Sequence, residues 1–168
     1  MKNFMLAGVC LVFALATNAQ RKSPHTTAEG MIGAAKVTIT YGAPSVKGRE
    51  IWGKLVPYDK AWRAGADEAT IFETSKDLKV EGKSLPAGKY SLFITPAASG
   101  DWTLTFNSQT GQWGINDTGA ANFDPAKNVI VVKVMAKKSA MTEQLTYKVT
   151  STGFDIAWDK MEAKVKAK

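Results

Sequence analysis

Lys36-Val37-Thr38-Ile39-Thr40-Tyr41 decides the fold class. Val37, Ile39 and Tyr41 fall on one face of an extended chain, and Lys36, Thr38 and Thr40 on the other. That period of two is the signature of a half-buried β-strand. The same alternation recurs downstream. Tyr90, Leu92 and Ile94 alternate with Ser91, Phe93 and Thr95, and Trp102, Leu104 and Phe106 are split by Thr103 and Thr105. Leu145, Tyr147 and Val149 and then Phe154, Ile156 and Trp158 repeat the pattern. Val129 to Met135 is apolar on both faces, and Glu68 to Thr74 is a further β-branched run. Turn residues such as Glu81-Gly82 punctuate the runs. No long 3.6-residue period occurs after Gln20. Short strands between turn signals predict an all-β chain, a single antiparallel β-sandwich of jelly-roll-like kind over 36–168.

Working outward, residues 20–35 are polar and Gly-containing, and are expected to form a flexible N-terminal segment. Residues 1–19, MKNFMLAGVCLVFALATNA, begin with Lys2 and continue into the apolar run Phe4 to Ala16. Thr17-Asn18-Ala19 loosely fits a small-x-small cleavage rule before Gln20, so the segment reads as a signal peptide. The run is shorter than the roughly 20 residues of a membrane helix, and no transmembrane anchor is expected after cleavage. Lipid attachment at Cys10 is disfavoured, because Val9 stands where a small residue is needed. The expected location is therefore exported, periplasmic or extracellular.

Composition limits the chemistry. The chain of 168 residues holds 1 Cys and 1 His, with a net charge of +7. Cys10 lies in the leader, so the remainder has no thiol for catalysis or for zinc. With His25 as the lone imidazole, neither a cofactor nor a metal site is expected. Asn116, Asp117 and Asp124 match no established calcium loop and read as turn formers. His25 follows Ser23 by two residues, but it lies in a polar stretch with no evident orienting group and is expected to be solvated or lightly packed. The basic end, with Lys160, Lys164, Lys166 and Lys168, reads as protection of a sheet edge. No nucleic-acid motif accompanies it.

Gly42 to Asp67, GAPSVKGREIWGKLVPYDKAWRAGAD, breaks the strand rhythm and predicts one long loop after the first strand. Ordered loops beyond about 15 residues are usually functional or carry short elements of their own. This one sets Trp52, Tyr58 and Trp62 beside Lys47, Arg49 and Arg63. Guanidinium forks suit carboxylate, phosphate or sulfate, and indole faces stack on sugars or cations. Lys47, Arg49, Trp52, Tyr58, Trp62, Arg63, Asp67 and Glu68 are thus candidate ligand-binding residues. The competing reading makes the aromatics a plug at one end of the sandwich, with Arg49 and Arg63 paired to Glu50, Asp67 and Glu68.

Several blocks carry a family resemblance. Tyr41-Gly42-Ala43-Pro44-Ser45-Val46-Lys47-Gly48-Arg49-Glu50-Ile51-Trp52-Gly53 is one, and Leu55-Val56-Pro57-Tyr58 is another. Trp62-Arg63-Ala64-Gly65-Ala66-Asp67-Glu68-Ala69-Thr70 and Leu85-Pro86-Ala87-Gly88-Lys89-Tyr90-Ser91-Leu92-Phe93 complete the set. Together they resemble the domain of unknown function 2911 family, small exported proteins frequent in Bacteroidota. The chain departs from that pattern at Asp67, where Asn is commoner, and at Ala43, where Arg often precedes Pro44. The resemblance implies fold and compartment and assigns no activity.

Three functions remain open on the residues themselves. The chain is expected to be a non-catalytic binding module for a small carbohydrate, acidic glycan or peptide, with no catalytic residues. A carboxylate-dependent, glycosidase-like hydrolase is the first alternative. Adjacent strand residues point to opposite faces, which argues against Asp67 and Glu68 forming its carboxyl pair by themselves. A purely structural or interaction domain, with the Trp/Arg loop as a core plug, is the second. No nucleic-acid partner is expected, and the oligomeric state is open.

Overall fold

A computed structural model describes residues 23–168, so the expected leader lies outside the described residues. The chain forms β1 (His25–Ile32), β2 (Ala35–Gly42), β3 (Ala66–Thr74), β4 (Leu78–Val80), β5 (Lys83–Leu85), β6 (Gly88–Thr95) and β7 (Asp101–Asn107). A 3-10 turn at Pro125–Lys127 leads into β8 (Asn128–Thr150) and β9 (Gly153–Lys166). Every strand pairing is antiparallel. The principal sheet runs β1-β2-β3-β6-β7-β8-β9, with β4 and β5 a separate hairpin. The antiparallel all-β class expected from the alternation is the one adopted. Its connectivity is a meander, simpler than the jelly-roll-like order expected.

One expectation is corrected. His25–Ile32, within the segment expected to be flexible, pairs with β2 along its whole length, from His25 opposite Gly42 to Ile32 opposite Ala35. Only Ile32 of that strand is buried. The strand is held by its backbone ladder rather than by an apolar face, which is why alternation did not mark it. The long loop therefore follows the second strand.

A second layer comes from β8. Its first part pairs with β7, up to Met135 opposite Asp101, and the rest pairs with β9, from Ala136 opposite Ala163 to Thr150 opposite Gly153. Register shifts flank Thr142. Such irregularities bend a ribbon and increase its twist. The β8–β9 arm thereby folds over the sheet in a sandwich-like arrangement. Phe154 of β9 meets Phe72 of β3 at 5.4 Å, and Phe72 meets Phe106 of β7 edge-on at 5.1 Å. Val37, Ile39, Phe72, Leu92, Leu104 and Phe154 are fully buried between the layers. Gly30 of β1 lies so close to Val149 of β8 that a Cβ there would come within 2.8 Å of it.

The basic C-terminus is partly covered. Lys79 N–H donates to the Lys168 carbonyl at 2.8 Å and Glu81 N–H to that of Lys166 at 2.9 Å, so the tail is seated beside β4. Among the described residues, no helix is long and apolar enough to cross a membrane.

Candidate functional site

The loop over 43–65 is pinned at both ends. Val46 N–H donates to the Glu143 carbonyl and Leu145 N–H to that of Pro44, which ties the loop's start to β8. Lys47 and Gly48 turn the chain with φ of 47° and 68°, and Lys47 N–H donates to the Glu143 carboxylate at 2.8 Å. The Arg49 guanidinium closes the turn, donating from Nε to the Val46 carbonyl and from Nη2 to the Ser45 carbonyl. These carbonyls, and not Glu50, are its partners. At the far end Trp62 exchanges backbone hydrogen bonds with Ile94 of β6.

The aromatics of the loop do two different things. Trp52 packs at 4.5 Å from Trp102 and 5.9 Å from Trp158, both of which are 2% exposed, and 6.1 Å from Trp62. Tyr58 lies against Gly53, where a Cβ would meet its ring at 2.7 Å. Trp52 therefore helps close the end of the core, as the plug reading expects, and Tyr58 braces the loop from within. Trp62 stacks on Trp158 at 5.6 Å and donates its indole N–H to the Gly65 carbonyl, yet it remains partly exposed.

Behind Trp62 the chain is locked in unusual conformations. Ala64, fully buried, has φ 57°. Its carbonyl accepts from both Thr70 Oγ1 at 2.9 Å and Tyr147 Oη at 2.7 Å. Burial raises the Tyr147 hydroxyl well above its ordinary value, and nearby Tyr41 adds to this. Arg63 then projects sideways. It donates from Nη1 to the Trp113 carbonyl at 3.2 Å and lies 5.4 Å from the centre of the Trp113 ring. Burial pulls its guanidinium below the ordinary value, while the charges of Asp67 and Glu68 push it back up.

Asp67 has φ 64°, and the β2–β3 register shifts between Thr40 and Gly42, the residue opposite Ala66. The left-handed residue interrupts the extended strand at its start, and only Asp67 of the pair lines the cleft described below. Both carboxylates act on the one guanidinium of Arg63. Oδ2 of Asp67 is buried with no hydrogen-bond partner. Glu68 Oε2 lies 3.9 Å from His25 Nε2, with each side chain about one-third exposed (34% and 37%). His25 is thus lightly packed beside a carboxylate, as expected for an exposed imidazole. A bond from Ala43 N–H to the Pro24 carbonyl brings its segment there.

These elements border one open cleft of about 870 Å³. Of the candidate residues, Lys47, Arg49, Trp62, Arg63 and Asp67 line it, and Trp52, Tyr58 and Glu68 do not. The wall also takes residues that the loop's composition could not reveal, among them Ser23, Gln144 and Trp158. The indole N–H groups of Trp158 and Trp52 are buried without acceptors. Among the described residues, no group of three His, Cys, Asp or Glu is placed to hold a metal ion. Chemically, the wall offers three cations, one carboxylate and an indole surface.

A family model described as Protein of unknown function (DUF2911) matches residues 23–167, which takes in every strand and the whole cleft wall. No curated protein and no solved structure matches the chain.

Proposed function

The chain belongs to the DUF2911 family, and we propose that it is a non-catalytic binding module that takes a small carbohydrate, acidic glycan or peptide into the cleft. The observation that carries this reading is the convergence of Lys47, Arg49 and Arg63 with Trp62 on one cleft of about 870 Å³. Sites for small molecules commonly span about 300–1,000 Å³ and combine apolar walls with a few placed polar groups. The Arg49 and Arg63 side chains are fixed by hydrogen bonds to backbone carbonyls. A ligand would then meet groups already ordered, which lowers the entropy lost on binding. The proposed place of action is outside the cytoplasm, in the periplasm or beyond the cell, on the strength of the signal-like sequence over 1–19.

Thermal unfolding against glycans, cell-wall fragments and small anions tests the reading. A ligand at about 100 times its Kd stabilises a fold by about 2.7 kcal/mol. A saturable rise in Tm, lost in folded Trp62→Ala or Arg63→Ala proteins, is the expected result. No rise with any ligand, together with gross destabilisation of both variants, would make the loop a structural plug.

One observation favours a second reading, a carboxylate-dependent hydrolase: Asp67 and Glu68 share the field of Arg63, and Glu68 also contacts His25. That reading requires turnover of a glycoside that is abolished by Glu68→Gln or Asp67→Asn.

A further inference from the structure

Asp67 is the one carboxylate on the cleft wall. Its backbone is left-handed at φ 64°, a conformation that L residues other than Asn and Asp enter rarely. Its buried Oδ2 has no hydrogen-bond partner, although buried polar atoms in native proteins almost always have one. An unmet acceptor on the wall of the cleft points to a group kept for something other than stability. Trp158, stacked behind Trp62 on the same wall, carries the complementary deficit, a buried N–H donor without an acceptor.

The wall carries groups of opposite kind, a carboxylate that accepts and cations that donate, and that restricts the ligand. An ammonium only donates and a carboxylate only accepts, whereas a hydroxyl does both. The charges restrict it further, since three cations face one carboxylate on this wall. The Lys47 side chain makes no ion pair among the described residues. Trp62 supplies a partly exposed aromatic surface on the same wall, suited to the apolar face of a pyranose ring.

Resting on the binding-module reading, we infer that the cleft takes an acidic sugar. Its ring lies on Trp62 and its hydroxyls bond to Asp67. Its carboxylate meets Lys47 and the outward face of the Arg49 guanidinium. Asp67 reads the hydroxyls and the basic pair reads the charge, so the two recognitions are separable by mutation.

Isothermal titration of the purified protein separates them with three probes: D-galacturonate, D-galactose and acetate. Galacturonate is expected to bind saturably, galactose at least tenfold more weakly, and acetate without saturation. Asp67→Gly, which accepts the positive φ, is expected to weaken galacturonate at least tenfold with Tm unchanged or raised. A Lys47→Ala, Arg49→Ala protein is expected to bind galacturonate no better than galactose. Wild-type affinity for galacturonate in Asp67→Gly, or acetate binding as tightly as galacturonate, overturns the inference. Galacturonate failing while another ligand gives a Trp62-dependent rise in Tm overturns the inference and leaves the binding-module reading standing. No binding by any ligand overturns both.

Discussion

Replacing Asp67 with glycine removes a charged side chain from the cleft wall, and the structure argues that the fold gains by it. A left-handed conformation costs an L residue about 1–2 kcal/mol, with Asp at the low end. A buried polar atom without a partner costs about 1–3 kcal/mol. Against these stand the greater unfolded-state freedom of glycine, about 0.5–1 kcal/mol, and the loss of one of the two carboxylates that act on Arg63. At a partly exposed site that attraction is worth about 1 kcal/mol at most. The balance is a stabilisation of about 1 kcal/mol, which raises Tm by about 2–4 °C in a domain of this size. Urea unfolding measures it directly, as a higher midpoint with an unchanged slope. Asp67→Ala serves as the control: it removes the carboxylate but keeps a Cβ at positive φ, so it should be less stable than Asp67→Gly. A loss of more than about 1 kcal/mol in Asp67→Gly would mean that the fold depends on this carboxylate, and the case for its being held for a ligand would collapse.

Other consequences follow from the packing. Because the folded protein holds the Tyr147 hydroxyl above its ordinary value, its contribution is complete below about pH 10 and is lost as pH rises through the folded value. Stability should fall by up to about 1.4 kcal/mol per pH unit there. Tyr147→Phe should flatten that fall at a cost near neutrality of about 1 kcal/mol, since Thr70 still donates to the Ala64 carbonyl; denaturant titrations at several alkaline pH values check it. Gly42→Ala should cost more than about 3 kcal/mol, because the added Cβ would collide with the Ala66 carbonyl; failure to fold, or a drop in Tm of many degrees, is the expected readout. Trp102→Ala, which removes a buried ring packed against Trp52, should cost about 3–5 kcal/mol by urea unfolding. Arg63→Ala should lose only about 1–2 kcal/mol, because the side chain is only partly buried and makes one hydrogen bond and one ring contact, both to Trp113.

The sequence made some of this visible for a plain reason. The strands at 36–41, 90–95 and 102–106 have one face in the core, so burial stamps a period of two on them. β1 escaped because HTTAEGMI buries only Ile32 and is held by backbone pairing that leaves no trace in side-chain type. Lys47, Arg49, Trp62 and Arg63 were legible as neighbours on one cleft wall because they crowd one loop. Trp52 and Tyr58 share that loop, but their rings turn into the tryptophan cluster and against Gly53. Nothing in their spacing distinguishes them from Trp62. Trp158 and Gln144 reach the cleft from the β8–β9 arm only because that arm folds over the sheet. The left-handed backbone at Asp67 left no mark in residue type, since the run Glu68 to Thr74 reads as an ordinary strand.

The cleft beside Trp62 is proposed to be a ligand site, which a titration can test. The most direct measurement is a titration of the ¹⁵N-labelled protein with D-galacturonate, following the indole N–H signals of its 5 tryptophans. Saturable shifts of the Trp62 and Trp158 signals are expected, with Trp102 little changed and the response absent in Asp67→Gly. Signals that do not move at saturating ligand, or that move equally in Asp67→Gly, would contradict the proposal.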